Sequence, residues 1–292
     1  MCSGEATTEV AEATEDTRKL GNEISDLYER LFAQHAHPKG PWAALLAEAR
    51  LALPEGKGEV LDVASGPGEP ALMIAREMPE ASVLSTDLAE NMVRKASQRA
   101  EAAGVKNVTT DVLDAQDMSA HPDGRFDLIT CSFGYIYCPD PKRALQESCR
   151  VLKPGGTLAM TYVTKSPVMQ SIEEMMAAVL GGPPPPPPVN PLSLAEEGLV
   201  EGLLSGSGFE VVAVTESAYP MDYGGDPDMA FKLGSLAISS KLQEMVGQGK
   251  SSVMEIAREA FEAWATREHF RRPDGRVIVE GIAFKTAVAR KK

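Results

Sequence analysis

Short apolar runs and amphipathic stretches alternate through the middle of this chain. Val60–Val63 reads as a buried strand, Gly66-Pro67-Gly68 as a tight turn, and Glu69–Met78 as a helix leaving that turn. Ser82–Asp87 predicts a second strand, and Ala89–Ala103 a helix closed by Gly104. Asn107–Leu113 and Phe126–Cys131 predict the third and fourth strands. Pro141–Leu152 predicts a helix that ends before Lys153-Pro-Gly-Gly156, and Thr157–Val163 a fifth strand. Alternation of this kind implies a parallel sheet with helices on both faces. Upstream, Leu20, Ile24, Leu27, Tyr28, Leu31 and Phe32 share one helical face. The stretch His35 to Pro41 breaks that period, and Trp42–Leu51 resumes it.

Beyond Lys165 the pattern changes. Val168–Leu180 is a Met-rich helical segment, followed by Gly181-Gly182 and the prolines Pro183 to Pro188, an extended connector. Ser193-x-x-Glu196 has the form of a capping box opening a helix. Gly208–Val214 predicts a sixth strand, residues 226–270 more helix, and Arg276–Ala289 a closing strand. The expected organisation is an acidic disordered tail over 1–17, then lid helices and a cofactor-binding core over 18–165. Residues 166–292 would add cap helices and the last two strands of the same sheet.

The chain has 292 residues, enough for one large α/β domain with an accessory region. Its formal net charge of −13 repels phosphate backbones, so nucleic acid is not an expected partner. No apolar run is long enough to span a bilayer, and Met1–Asp16 lacks the plan of a signal or transit peptide. Cys2, Cys131, Cys138 and Cys149 show no metal-like or CxxC spacing. Reduced thiols in a cytoplasmic protein are expected, with no metal. Oligomeric state is not legible.

A strand, a glycine turn and a helix N-terminus together form a nucleotide-binding crevice, because glycine lets backbone approach a ligand. Alone the signal is ambiguous. Gly66-x-Gly68-x-x-Ala71 also satisfies the dinucleotide fingerprint.

Four segments in order narrow the reading: Leu61-Asp-Val-Ala-Ser-Gly-Pro-Gly-Glu-Pro-Ala-Leu72, Ser85-Thr-Asp-Leu-Ala-Glu-Asn-Met92, Asp114-Ala-Gln-Asp-Met118 and Arg150-Val-Leu-Lys-Pro-Gly-Gly156. On these the chain resembles the class I S-adenosylmethionine-dependent methyltransferases, within them the group that includes the ubiquinone/menaquinone C-methyltransferases. It departs from that pattern in having Ala64 at a common glycine position, and a long segment between the last two strands. The resemblance implies a Rossmann-like seven-stranded sheet, mostly parallel, its last strand antiparallel between the fifth and sixth, with a helical cap. It implies S-adenosylmethionine as cofactor, held around Ala64, Ser65, Gly66 and Gly68. Asp87 would sit on the ribose, Leu88 and Met92 on the adenine face, and Asp114 and Ala115 on the adenine edge. Ser132 would meet the sulfonium end and Tyr28 would cover the site as part of a lid. For a lone Asp at a strand end, a helix cap or turn is the alternative role.

Tyr135 and Tyr137, in the loop after the fourth strand, are candidate catalytic-pocket residues, since aromatic faces stabilise a sulfonium. Core packing is the alternative. His35, with His37, His121 and His269, supplies the candidate general bases. Tyr219, Tyr223 and Trp264 are candidate walls for a small-molecule methyl acceptor. Methyl transfer from a sulfonium is an in-line displacement that leaves a neutral thioether. It needs alignment and exclusion of water, and a base only for some acceptors. A quinone-like ring, a thioether and an amine all remain open. So do two rival readings: a nicotinamide-dependent oxidoreductase on the same crevice, which an all-parallel sheet would favour, and a non-catalytic cofactor-binding protein.

Overall fold

The computed structural model describes residues 10–19, 33–185 and 190–292. Strands β1 (Lys57–Asp62), β2 (Glu80–Asp87), β3 (Val108–Val112), β4 (Phe126–Ser132), β5 (Leu152–Lys165), β6 (Phe209–Asp222) and β7 (Ile278–Lys291) form one sheet in the order β3-β2-β1-β4-β5-β7-β6. The pairs β1–β2, β1–β4, β2–β3 and β4–β5 are parallel. β7 runs antiparallel to both its neighbours, β5 and β6. The expected insertion of the last strand between the fifth and sixth is therefore found, and the all-parallel alternative is not. The order reverses at β1, where β2 lies on one side and β4 on the other, which opens a crevice beyond their carboxyl ends.

Helices close both faces. In chain order they are α1 (helical over residues 10–19), α2 (Pro41–Ala52), α3 (Ala71–Glu77), α4 (Glu90–Ala102), α5 (Pro141–Val151), α6 (Pro167–Leu180), α7 (Leu199–Gly206), α8 (Pro227–Gly234), α9 (Ser239–Gly247) and α10 (Val253–Arg267). Leu46 and Ala49 of α2 and Ile74 of α3 pack on Val60 and Leu128. A second, larger cluster runs from Ile129 and Leu145 without interruption to Phe231, Phe261 and Trp264. Sheet and cap therefore share one core, and neither buries its apolar surface alone.

Several sequence expectations are corrected. The tail expected to be disordered over 1–17 is helical from residue 10 on, while residues 1–9 lie outside the described residues. Ala11, Glu12, Ala13 and Glu15 are strong helix formers, and Glu15 pairs with Arg18 and Lys19 along the helix. The Ser193-x-x-Glu196 capping box opens no helix. The Ser193 hydroxyl donates instead to the Ile136 carbonyl at 3.2 Å, and α7 starts after Gly198 in the left-handed conformation. β6 extends eight residues past its expected end at Val214, because β7 offers it a partner as far as Asp222. Lys153-Pro-Gly-Gly156 is a bulge within β5, whose register steps from Phe126↔Leu152 to Leu128↔Thr157.

Candidate active site

The glycine turn is held from below. Asp62, fully buried at the end of β1, accepts from the Ala71 amide at 3.1 Å and the Thr130 hydroxyl at 2.6 Å. It thereby ties the first residue of α3 to β4. Burial pushes its carboxyl up to about 7, against the pull of Ser65, Thr130 and Ala71. The Ser65 side chain is buried as well and accepts from the Ser85 hydroxyl at 2.9 Å, so its hydroxyl braces the turn. Gly66 and Gly68 have φ of 56° and 102°. A Cβ on Gly68 would lie 3.1 Å from both the Ala96 Cβ and Leu72 Cδ1. The approach of α4 therefore leaves little room for a side chain at this position. From above, Arg99 donates to the Pro67 carbonyl at 2.6 Å and to the buried Glu69 at 3.2 Å. The four motifs do not include this clamp; only the approach of α4 to the turn reveals it.

Asp87 ends β2 at the crevice. Its two oxygens accept from the Gly66 and Ala89 amides, each at 2.9 Å. Burial pushes this carboxyl up to about 6, and the Ala89, Gly66 and Leu88 amides pull it back. The bond from Gly66 fixes the glycine turn against the strand end, so two expected ligand groups already form one unit. Leu88 is half-buried beside them, and Met92 is buried at the start of α4.

On the far side of β2, Asp114 follows β3. One of its oxygens accepts from the Gln116 backbone at 2.8 Å and the Gln116 side chain at 3.2 Å. Ala115 is buried between them. Ser132, at the end of β4, has a buried hydroxyl with no hydrogen-bond partner among the described residues. A buried unsatisfied donor at the carboxyl edge suits a polar ligand atom or water. Asp87, Asp114 and Ser132 thus stand at the ends of three strands around one crevice, as their motif positions imply. Tyr28 lies outside the described residues, while α1 bonds to Gln116 after β3 and to the loop after β4. Thr14 accepts from the Gln116 side chain at 3.1 Å, and Thr17 donates to the Tyr137 carbonyl at 3.4 Å.

The catalytic candidates fare differently. The Tyr135 phenol bonds the Ser148 hydroxyl at 2.7 Å, deep under α5, and the residue is 1% exposed. It is a core residue, because the left-handed Phe133 (φ 60°) before it turns the loop inward. Tyr137 is half-buried at the crevice end of that loop. His35 is buried in a ring cluster, its centroid 5.3 Å from Phe133 and 5.7 Å from both Trp42 and Tyr219. Burial holds its imidazole down to about 3, so it is neutral and very weakly basic at neutral pH. That corrects its assignment as a general base: it packs in the core against Trp42, Phe133 and Tyr219.

The three acceptor-wall candidates do not come together. Tyr219 lines an open groove of about 440 Å³ with His37, Lys39, Pro220 and Glu280, where β6 ends and β7 begins. Tyr223 and Trp264 are sealed in the core of the cap. Trp264 packs against Phe261 and Phe270, with ring centroids 5.8 and 5.1 Å away. Among the described residues no group of three or more His, Cys, Asp or Glu is placed to hold a metal ion. No helix among them is long and apolar enough to cross a membrane.

Comparison with known proteins gives this geometry a context. Residues 60–156 match the family described as methyltransferase domain. The demethylmenaquinone methyltransferase of Thermus thermophilus is 39% identical over 111 residues, which cover 38% of this chain and 49% of that one. The ubiquinone/menaquinone biosynthesis C-methyltransferase of Rickettsia massiliae is 36% identical over 109 residues, covering 36% of this chain and 44% of the other. The chain thus spans about half the length of these curated relatives, or less. In fold it is similar to phosphoethanolamine N-methyltransferase 2 of Haemonchus contortus, solved with phosphomonomethylethanolamine and S-adenosylhomocysteine. That match has a TM-score of 0.54 and 18% identity, and covers 91% of this chain and 56% of the other. A Bacillus halodurans methyltransferase structure matches with a TM-score of 0.53 at 22% identity, covering 84% and 98%.

Proposed function

We propose that this chain, whose residues 60–156 form a class I methyltransferase domain, transfers a methyl group from S-adenosylmethionine to a small acceptor. The observation that carries the reading is the unit made by Asp87 and Gly66: a half-buried carboxylate at the end of β2, fixed to the glycine turn at the switch point of the sheet. A carboxylate there accepts from the vicinal hydroxyls of a ribose. The residues present fit the cofactor. Asp87 would take the ribose, Asp114 and Ala115 the adenine edge, and the unsatisfied Ser132 hydroxyl the amino-acid or sulfonium end. When bound, the cofactor supplies an activated methyl whose departure leaves a neutral thioether.

The protein's own contribution is position and exclusion of water. The Arg99–Glu69 clamp and the Asp62 bonds hold the turn rigid. α1 covers the crevice from Gln116 to Tyr137. Water kept from the crevice preserves both the reactive methyl and the nucleophile. The acceptor's place is the carboxyl edge beside Tyr219, where the groove opens. Its lining is mixed, with the Tyr219 ring and Pro220 on one side and the charged Lys39 and Glu280 beside them. Among a quinone-like ring, a thioether and an amine, the ring is favoured because two sequence relatives are named for such acceptors. The charge of −13 argues against nucleic acid as substrate, and the unpaired Cys131, Cys138 and Cys149 suit action in the cytoplasm.

Calorimetry with S-adenosylhomocysteine and with NADH tests the cofactor. Binding of the first alone is expected, and binding of NADH alone would overturn the reading in favour of an oxidoreductase. Turnover of a naphthoquinol, a thioether and an amine in parallel separates the acceptor classes. Failure of all three, with the cofactor bound, would favour a non-catalytic role.

A further inference from the structure

Gln116 stands at a junction that no motif predicts. Its backbone and side-chain N–H groups both donate to the same oxygen of Asp114, at 2.8 and 3.2 Å. The other hydrogen of its carboxamide nitrogen goes to the Thr14 hydroxyl on α1 at 3.1 Å. Its carboxamide oxygen accepts from the Asp140 amide, ahead of α5, at 2.9 Å. Its backbone carbonyl accepts from Arg143 at 3.2 Å. Both side-chain donors and the side-chain acceptor are therefore engaged at once, each with a different element. Thr14 is polarised to match: its hydroxyl donates to the Val10 carbonyl at 2.8 Å, which leaves its oxygen to accept from Gln116.

The helix on the other end of this bond is lightly held. None of residues 10–19 is fully buried. Among the described residues, one other hydrogen bond ties α1 to the body, from Thr17 to the Tyr137 carbonyl at 3.4 Å. The single Thr17 hydrogen is shared there with the Ala13 carbonyl at 3.0 Å. A helix with little buried apolar surface opens locally at small free-energy cost, so one good hydrogen bond is a large part of its docking.

We propose that Gln116 is a latch that couples ligand binding at Asp114 to docking of α1 over the crevice. The inference rests on the methyltransferase reading for the identity of the ligand, and on the bonds of Gln116 alone for the latch. Gln116 holds one oxygen of Asp114 and so sets the direction in which the carboxylate faces the crevice. The same carboxamide closes the lid. A ligand bonded to Asp114 steadies Gln116, which steadies Thr14. By linkage, a docked α1 tightens the ligand by the same factor. Gln116 is a positioning residue here and touches no reacting atom.

Hydrogen exchange of residues 10–19, with and without S-adenosylhomocysteine, reads the lid directly, and calorimetry reads the ligand. In the unmodified protein the ligand is expected to slow exchange across 10–19 severalfold. Gln116→Ala should speed exchange of 10–19 even without ligand, abolish the ligand-dependent slowing there, and weaken ligand binding 5- to 20-fold. Protection of β1 and the glycine turn should remain. Thr14→Val removes only the lid side of the latch. It should give the same loss of protection with a smaller loss of affinity, and adding it to Gln116→Ala should lose nothing more. Unchanged exchange of 10–19 in Gln116→Ala would overturn the latch, whatever happens to affinity, and so would additive losses in the double variant. Failure of the unmodified protein to bind S-adenosylhomocysteine would count against the cofactor reading alone, since the ligand-free exchange comparison still decides the latch.

Discussion

The methyl group of Ala64 occupies the space that a side chain on Gly134 would need: a Cβ built on Gly134 lies 2.4 Å from the Ala64 Cβ. It would also lie 2.7 Å from the Cys131 sulfur. Ala64 itself has φ 53°, a left-handed backbone that costs a residue with a Cβ about 1–2 kcal/mol. The departure from glycine at 64 is thus accommodated by glycine at 134, across the gap between the turn after β1 and the loop after β4. Gly134→Ala should destabilise the protein by about 1–3 kcal/mol through overpacking. Ala64→Gly should relieve the backbone and recover part of that loss in the double variant. Urea denaturation of the four proteins measures the coupling, and additive effects would show that the two positions are independent.

Asp87 gives a pH signature. In the proposed complex ribose hydroxyls donate to its charged form, so binding would lower a carboxyl that burial holds up at about 6. Affinity for S-adenosylhomocysteine should be full above that value and fall as pH drops through it. Asp87→Asn should bind weakly with this component of the pH dependence gone. Asp87→Ala should lose about 2–4 kcal/mol, since a charged acceptor for two hydroxyls is removed. Calorimetry between pH 5 and 8 checks both, and a flat profile in the unmodified protein would take Asp87 off the ribose.

Asp62 acts on stability rather than on binding. Burial raises its carboxyl to about 7 in the fold, against about 3.9 for an unfolded Asp. The folded state therefore holds this proton more tightly. Its contribution to stability is complete below about pH 4 and is lost as pH rises through about 7. Asp62→Asn should flatten the decline of melting temperature across that window. An identical slope in the variant would mean that other groups set it.

Trp264 separates a pocket wall from a core residue. It is fully buried, and its indole N–H has no hydrogen-bond partner among the described residues. Trp264→Ala should cost about 3–5 kcal/mol of stability. Any losses at the cofactor and the acceptor should then be alike, because the cap shares its core with the sheet. Trp264→Phe should cost far less, since it keeps the ring and deletes an unsatisfied donor. A selective rise in acceptor KM with unchanged melting temperature would return Trp264 to the pocket.

The sequence by itself determined the order of strands and helices from Val60 to Val163, and with it the places of Asp87, Asp114 and Ser132. Period and turn chemistry are local properties. A residue that closes a strand ahead of a helix must stand at the carboxyl edge of a parallel sheet. The antiparallel seventh strand came from the family resemblance. No local pattern encodes which neighbours a strand will find.

Tertiary structure alone decided everything that depends on two distant segments meeting. Tyr135, His35, Tyr223 and Trp264 look like pocket residues along the chain, because an aromatic side chain suits a wall and a core equally. Burial against Ser148, Phe133, Val277 or Phe261 makes the difference. Gly68 carries a packing constraint that its motif does not reveal: its close neighbour is Ala96, 28 positions away in sequence. The Arg99 clamp, the Ala64–Gly134 fit and the three-way bonding of Gln116 each join segments far apart in the chain. Polar side chains such as these are ambiguous until their partners are in place, because the same groups serve equally well facing water.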